Sequence, residues 1–281
     1  MPGPFIECLV GPVCRRDRHR PARWLPGGCL LLCAILALAL SASAQRRKLF
    51  STPTPLPPGS TLIIGFTNGF DEGSDEDLQD GPPLQLGARL RTLGLAGVYI
   101  ETAEHTQRRA VLKFIESATG RDFRGRCELD GCRELRLILF GQAKGGAAVY
   151  RLARDLDRLG LPVALAIQVD NVGPAEEVVP PNVARAANLA SSWLLRRPTL
   201  IRAQDSAKTQ ILANLRYDYD QAKWIELSAS AGAEKSARAA RPLPENAPPV
   251  WNRVEDYILE ELHRAGIPGA PAPPHSVSPS H

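Results

Sequence analysis

Histidine and cysteine are scarce in this chain of 281 residues, and most of the cysteines sit where they do little. Beyond the first 44 residues the histidines are His105, His263, His275 and His281. Cys8, Cys14, Cys29 and Cys33 fall within those first 44 residues, which leaves Cys127 and Cys132. Two thiols without a neighbouring histidine cannot complete a zinc site, so no metal and no cofactor is expected. Charge of one sign is lacking as well. Beyond residue 44 there are 29 Lys/Arg against 28 Asp/Glu, which excludes a nucleic-acid footprint. There is no internal repeat.

Long apolar runs are equally few, and the clearest is Cys29–Leu40. Arg15, Arg16, Arg18, Arg20 and Arg23 precede it, and Ser41-Ala42-Ser43-Ala44 follows. That order of basic region, short apolar core and small-residue site reads as a secretory signal peptide over 1–44, cleaved after Ala44. Its rival is a membrane anchor over 25–44, in which case the chain meets the membrane only through this uncleaved segment. The Arg15-Arg16 pair hints at twin-arginine export, and neither Cys29 nor Cys33 is placed to carry a lipid. Export to the periplasm or exterior favours a disulfide between Cys127 and Cys132, closed by a turn at Asp130-Gly131. Two free thiols or a metal half-site are the alternatives.

Pro53, Pro55, Pro57 and Pro58 mark residues 45–60 as a linker, and Pro, Ala, Gly and Ser mark 266–281 as a disordered tail. Between them, over 61–265, apolar runs alternate with amphipathic ones. Strands are expected at 61–65, 97–101, 135–140, 163–169 and 224–227, and helices at 83–93, 105–117, 145–159 and 250–263. Strands apolar throughout and separated by helices imply a mostly parallel central sheet flanked by helices, a three-layer α/β fold. Asp71-Glu72-Gly73-Ser74-Asp75-Glu76-Asp77 lacks the ligand spacing of an EF-hand and reads as a solvated loop. Glu234, Lys235, Arg238 and Arg241 read as a mobile surface segment.

The third strand runs into Phe140-Gly141-Gln142-Ala143-Lys144-Gly145-Gly146 and then a helix. Glycine two before and two after a central residue, between strand and helix, is the pattern of a nucleophile elbow, G-x-S-x-G, with Ala143 at the serine position. The glycines are needed because the central residue is strained and its neighbours must accept close backbone approach.

On this elbow, on Ile64-Gly65-Phe66, on Val169-Asp170-Asn171-Val172, and on Asn182–Asn188 and Thr209–Tyr219, the chain resembles the α/β-hydrolase superfamily. The likeness is to exported bacterial lipase- or thioesterase-like members, over about 61–264. It implies an α/β-hydrolase-like fold and a serine, acid and histidine triad in that chain order. Ala143 offers no attacking atom, and 228–249, where the base belongs, contains no histidine. Asp170 is the candidate acid, or else a turn residue. His105 is expected at the surface where a helix starts, and His263 as a favourable charge at a helix C-terminus. Backbone donors at Phe66, Lys144 and Gly145 are implied as a surviving oxyanion-type pocket for a small acyl or carboxylate ligand.

Three functions follow as expectations: a non-catalytic binder of such a ligand or of a protein, a hydrolase using Lys144 or Ser228, and a scaffold. Ligand identity and oligomeric state stay open.

Overall fold

Leu62, Ile63, Ile64 and Phe66 are apolar on both sides of the backbone, so the strand they form is stable only with both faces covered. The computed structural model describes residues 49–68, 81–122, 124, 126, 127, 132–171, 177–190, 200–219, 221–227 and 248–272. Within them run β1 (Thr61–Thr67), α1 (Pro82–Thr92), β2 (Val98–Glu104), α2 (Arg108–Thr119), β3 (Arg136–Gln142) and α3 (Lys144–Arg158). There follow β4 (Val163–Val169), β5 (Val178–Val179), β6 (Val183–Ala190), β7 (Arg202–Ala203), β8 (Gln210–Asp218), β9 (Lys223–Glu226) and α4 (Pro248–Arg264). The signal or anchor segment, the acidic stretch at 71–77, Ser228, the 234–241 segment, His275 and His281 lie outside the described residues.

Seven strands pair in the order β2-β1-β3-β4-β6-β8-β9. Every neighbouring pair is parallel except β8 with β9, which is antiparallel. β5 and β7 form a separate parallel pair. Val111, Phe114 and Ile115 of α2 join Val149, Leu152 and Leu156 of α3 on one face of the sheet. Leu86 and Leu90 of α1 join Trp251, Val254 and Ile258 of α4 on the other. The result is three layers with a mostly parallel sheet between helices, as the alternation of patterns implies.

Besides the two-residue β5 and β7, two strands of the main sheet escaped the pattern. Val183–Ala190 reads VARAANLA, half alanine, a poor strand former in isolation, and Gln210–Asp218 reads QILANLRYD, which mixes apolar and polar residues without a clean alternation. They are strands because β4 offers a paired edge and the helices cover them. Burial overrides propensity here. The run near 224–227 is β9, the antiparallel edge, rather than the next parallel strand.

The proline-rich segment has no regular structure, as its prolines require, yet the part from Leu49 onward packs on the domain instead of hanging free. Leu56 is fully buried and its N–H donates to the Ala118 carbonyl at 3.1 Å. Phe50 stacks on Phe114 with ring centroids 4.4 Å apart. Ser51 N–H and Oγ and Thr52 N–H donate to buried Glu101 Oε1 at 2.9, 3.0 and 2.6 Å. Past α4, Ile267 and Ala270 also pack on the core, inside the stretch expected to be a disordered tail. Cys127 and Cys132 form a disulfide just before β3.

At the N-terminal end of the sheet, α4 is held by charge. Glu261, 3% exposed, takes the Arg136 guanidinium at 2.9 Å and that of Arg185, whose side chain is 9% exposed. Burial pulls the Arg185 pKa below its usual value, which makes the carboxylate partner necessary.

Candidate functional site

The connections leaving β1 and β3 part company: β1 leads to α1 on one face and β3 to α3 on the other. Neighbouring parallel strands whose connections diverge leave a crevice at their C-terminal ends, where sheets of this kind bind ligands. The residues at that crevice are Thr67 and Asn68 from β1 and Ala143, Lys144 and Gly145 from β3 and α3.

Ala143 stands there with φ 51 and ψ −116, outside the regions that a side chain permits comfortably. What holds it is the close approach of its flanking glycines. A Cβ on Gly141 would collide with the Gly145 carbonyl, and one on Gly145 with the Phe66 carbonyl. The Ala143 N–H donates to the Val169 carbonyl at 2.9 Å, which ties the turn to the end of β4. This is a strained strand-to-helix turn with a methyl group at its apex.

Lys144 is exposed, and its backbone N–H is met at 3.3 Å by the side-chain oxygen of Asn68. Ala143 has no side-chain acceptor to cap α3, so Asn68 supplies one across 76 residues. An amide oxygen therefore sits on one of the backbone donors expected to face a ligand. Gly145 lies in the first turn of α3 with the Phe66 carbonyl against it. Phe66 itself is buried within β1, in register with both neighbouring strands.

Asp170 is the first residue past β4, and its own backbone is left-handed with φ 48. Because Gln142 and Val169 are register partners, Ala143 and Asp170 leave the sheet side by side. The Asp170 N–H donates to the Leu189 carbonyl at 2.9 Å. From β8 comes Tyr219, whose phenol is pushed up to about 12 by burial and, secondarily, by the Asp170 charge. His263 lies in the last turn of α4, as expected.

His105 opens a helical turn, as expected, but is half-buried rather than fully at the surface. β2 ends at Glu104 and delivers His105 to the same crest, in a short 3-10 turn ahead of α2. Burial, and then the positive Lys144, hold its pKa below the usual value, against a hydrogen bond to the Asn68 backbone and the charge of Glu104. Its Nδ1 is buried without a partner among the described residues. The imidazole thus borders the crevice on the β2 side, beyond Asn68, while Asp170 borders it on the β4 side. Three inter-strand spacings separate β2 from β4, roughly 14 Å of backbone, so the two groups cannot form a relay.

Sequence reasoning also missed an amide ladder beside the elbow. Gln168 Nε2 donates to Asn188 Oδ1 at 2.9 Å, and Asn188 Nδ2 to Asn214 Oδ1 at 3.2 Å, across β4, β6 and β8. Asn171 Nδ2 caps one end on Gln168 Oε1 at 2.9 Å. At the other end Asn214 pairs with the Ile201 backbone, accepting from its N–H at 2.8 Å and donating to its carbonyl at 3.1 Å. The signal available was an amide inside each of β4, β6 and β8.

Among the described residues no group of three metal-ligating side chains comes together, and no helix is long and apolar enough to cross a membrane. No protein-family model matches the chain, and no curated protein matches it.

Proposed function

We propose that the chain is an exported α/β-hydrolase-like protein without hydrolytic activity, which uses its crest to hold a small acyl or carboxylate ligand or a protein group bearing one. The observation that carries this is the Ala143 backbone, φ 51 and ψ −116, pinned between two glycines at a strand-to-helix turn. An elbow of this kind exists to lift a nucleophile out of the sheet, and here it lifts a methyl. Acyl transfer also needs a base in contact with the nucleophile and an acid in contact with the base. Asp170 and His105 stand on opposite flanks of the crevice, so neither requirement is met among the described residues.

The binding half of the reading draws on Asn68. Its amide oxygen on the Lys144 N–H, at the positive end of α3, supports a site for a carbonyl-type acceptor. A carboxylate, with full charge, competes for the same donor on favourable terms.

The test is turnover of short-chain p-nitrophenyl esters. We expect none above a heat-treated control, and none in Ala143→Ser. Turnover that Lys144→Ala or Ser228→Ala abolishes, or a covalent fluorophosphonate adduct, would refute the non-catalytic reading and establish the hydrolase alternative. For binding, fatty-acid carboxylates should raise Tm, and Asn68→Ala should enlarge the shift. No shift with any carboxylate leaves the fold as scaffold alone.

A further inference from the structure

The sheet does not end evenly at its crest. β6 closes at Ala190 and its pairing with β8 stops at Arg216, whereas β8 runs on to Asp218 and returns as β9. The β8/β9 hairpin therefore rises past the end of β6 as a wall. Its turn is held by the Gln221 N–H, which donates to Asp218 Oδ1 at 3.2 Å. Tyr217 and Trp224 are register partners across the hairpin, and Tyr219 follows two residues after Tyr217, so the three rings share one face. Ring centroids are 5.2 Å apart for Tyr217 with Trp224 and 4.9 Å for Tyr217 with Tyr219, both edge to face. All three side chains are half-buried, packed on the α1/α4 side of the core with part of each ring open.

Polar groups accompany the rings. Tyr219 Oη is buried and has no hydrogen-bond partner among the described residues, although buried phenols ordinarily find one. Burial keeps this phenol protonated, so it is a neutral donor. Asp170, half-buried past the end of β4, is close enough for its charge to act on the phenol. β4 and β8 stand two inter-strand spacings apart, about 10 Å, and β6 ends between them in Ala190, which has only a methyl. Hydroxyl and carboxylate thus flank the end of β6 without bonding to each other.

We infer that the hairpin wall and Asp170 form a carbohydrate site, in which a pyranose ring lays its C–H face on Tyr217 or Trp224 and bridges the Tyr219 hydroxyl to the Asp170 carboxylate. Each hydroxyl of a sugar both donates and accepts, so one ring accepts from the phenol and donates to the carboxylate. A carboxylate has about four lone-pair sites and takes such a bond beside those it already makes. Other small ligands fit less well. An acyl chain leaves the buried phenol without a partner, and an anion meets the Asp170 charge. The inference does not rest on the reading of the elbow, which concerns donors on the β1/β3 side of the crest.

Saturation-transfer NMR on the full chain tests it, with protein aromatic protons irradiated and sugar protons observed. Methyl glucoside and methyl N-acetylglucosaminide stand for a free sugar, cellopentaose and chitopentaose for a glycan chain, and transfer to either group supports the site. The signal should fall mainly on the ring C–H protons of one sugar face. Trp224→Ala should weaken binding roughly tenfold, the worth of one aromatic contact. Tyr219→Phe keeps the ring and deletes a hydroxyl that has no partner in the free protein, so Tm should not fall while affinity drops roughly fivefold. That variant keeps the test decisive should Trp224→Ala fail to fold. Absence of transfer to all four sugars would overturn the proposal, as would affinity untouched by Tyr219→Phe. Concentration-dependent self-association that competes with sugar and disappears in Trp224→Ala would assign the wall to a second copy of the chain instead.

Discussion

Replacing Ala143 with glycine is expected to stabilise the domain, against the usual outcome of removing a side chain. At φ 51 and ψ −116 the alanine Cβ is strained, and relief of such strain is of order 1–3 kcal/mol. Two losses oppose it. Glycine gives the unfolded chain extra freedom, about 0.4–1 kcal/mol, and a half-buried methyl forfeits roughly 0.4 kcal/mol of transfer energy. The balance is a gain of about 1 kcal/mol, or roughly 2–4 °C in Tm for a domain of this size. Urea unfolding measures it as a rise in Cm at unchanged m. Ala110→Gly, in the first turns of α2, is the control and should cost up to about 1 kcal/mol. A loss at position 143 as large as that at 110 would mean the turn is not strained, and with it would go the argument that the elbow geometry is intact.

Gly145→Ala acts in the opposite direction: its Cβ meets the Phe66 backbone, which cannot move without shifting β1, so a loss above about 2 kcal/mol is expected in the same urea assay. Asn188→Ala strands Gln168 Nε2 on one side and removes a donor from Asn214 on the other, costing about 1–3 kcal/mol. Hydrogen exchange at the Ile201 amide should rise only when Asn214 itself is replaced, since that side chain holds it. His105, neutral in preference to charged in the folded state, makes stability fall as pH drops below the unfolded histidine value of about 6.5 and level off below its lowered folded value. His105→Asn should flatten that part of a Tm-against-pH curve.

The layers and the elbow were legible in the sequence because both are local. β1, β3 and β4 are short runs apolar on every side, and a glycine pair around one residue between strand and helix admits few backbones. β6 and β8 were not legible, because the alanine-rich β6 becomes a strand only when a neighbour lends it an edge, and β8 mixes apolar and polar residues without a clean alternation. The same applies to the ladder from Gln168 to Asn214, whose members are twenty and twenty-six residues apart and meet only through register. Nothing local announces that Asn68 caps a helix across 76 residues. The helix start at His105 was legible, but its partial burial was not. β2 runs on to Glu104, three residues past the expected end, and that extension carries the next side chain up to the crest.

Strain at Ala143 is the point on which the site turns. A position that costs 1–3 kcal/mol persists where its surroundings over-determine it, and here the surroundings are Gly141, Gly145 and the Phe66 carbonyl. These contacts fix the exit of β3, and with it the start of α3 and the direction of its first N–H groups. The methyl of Ala143 does nothing for acyl transfer, yet the turn beneath it still aims the Lys144 N–H across the crevice at an oxygen on β1. On the proposed reading, the donors that would hold a ligand are backbone groups and do not depend on the side chain at 143, whereas an attacking atom would have to be a side chain. If so, Ala143→Gly should leave carboxylate-induced Tm shifts intact while raising stability, and Gly145→Ala should abolish them at concentrations that saturate the unaltered protein. Binding lost in Ala143→Gly but kept in Gly145→Ala would show that the ligand reads the methyl, and would place recognition in the side chains of the crest instead.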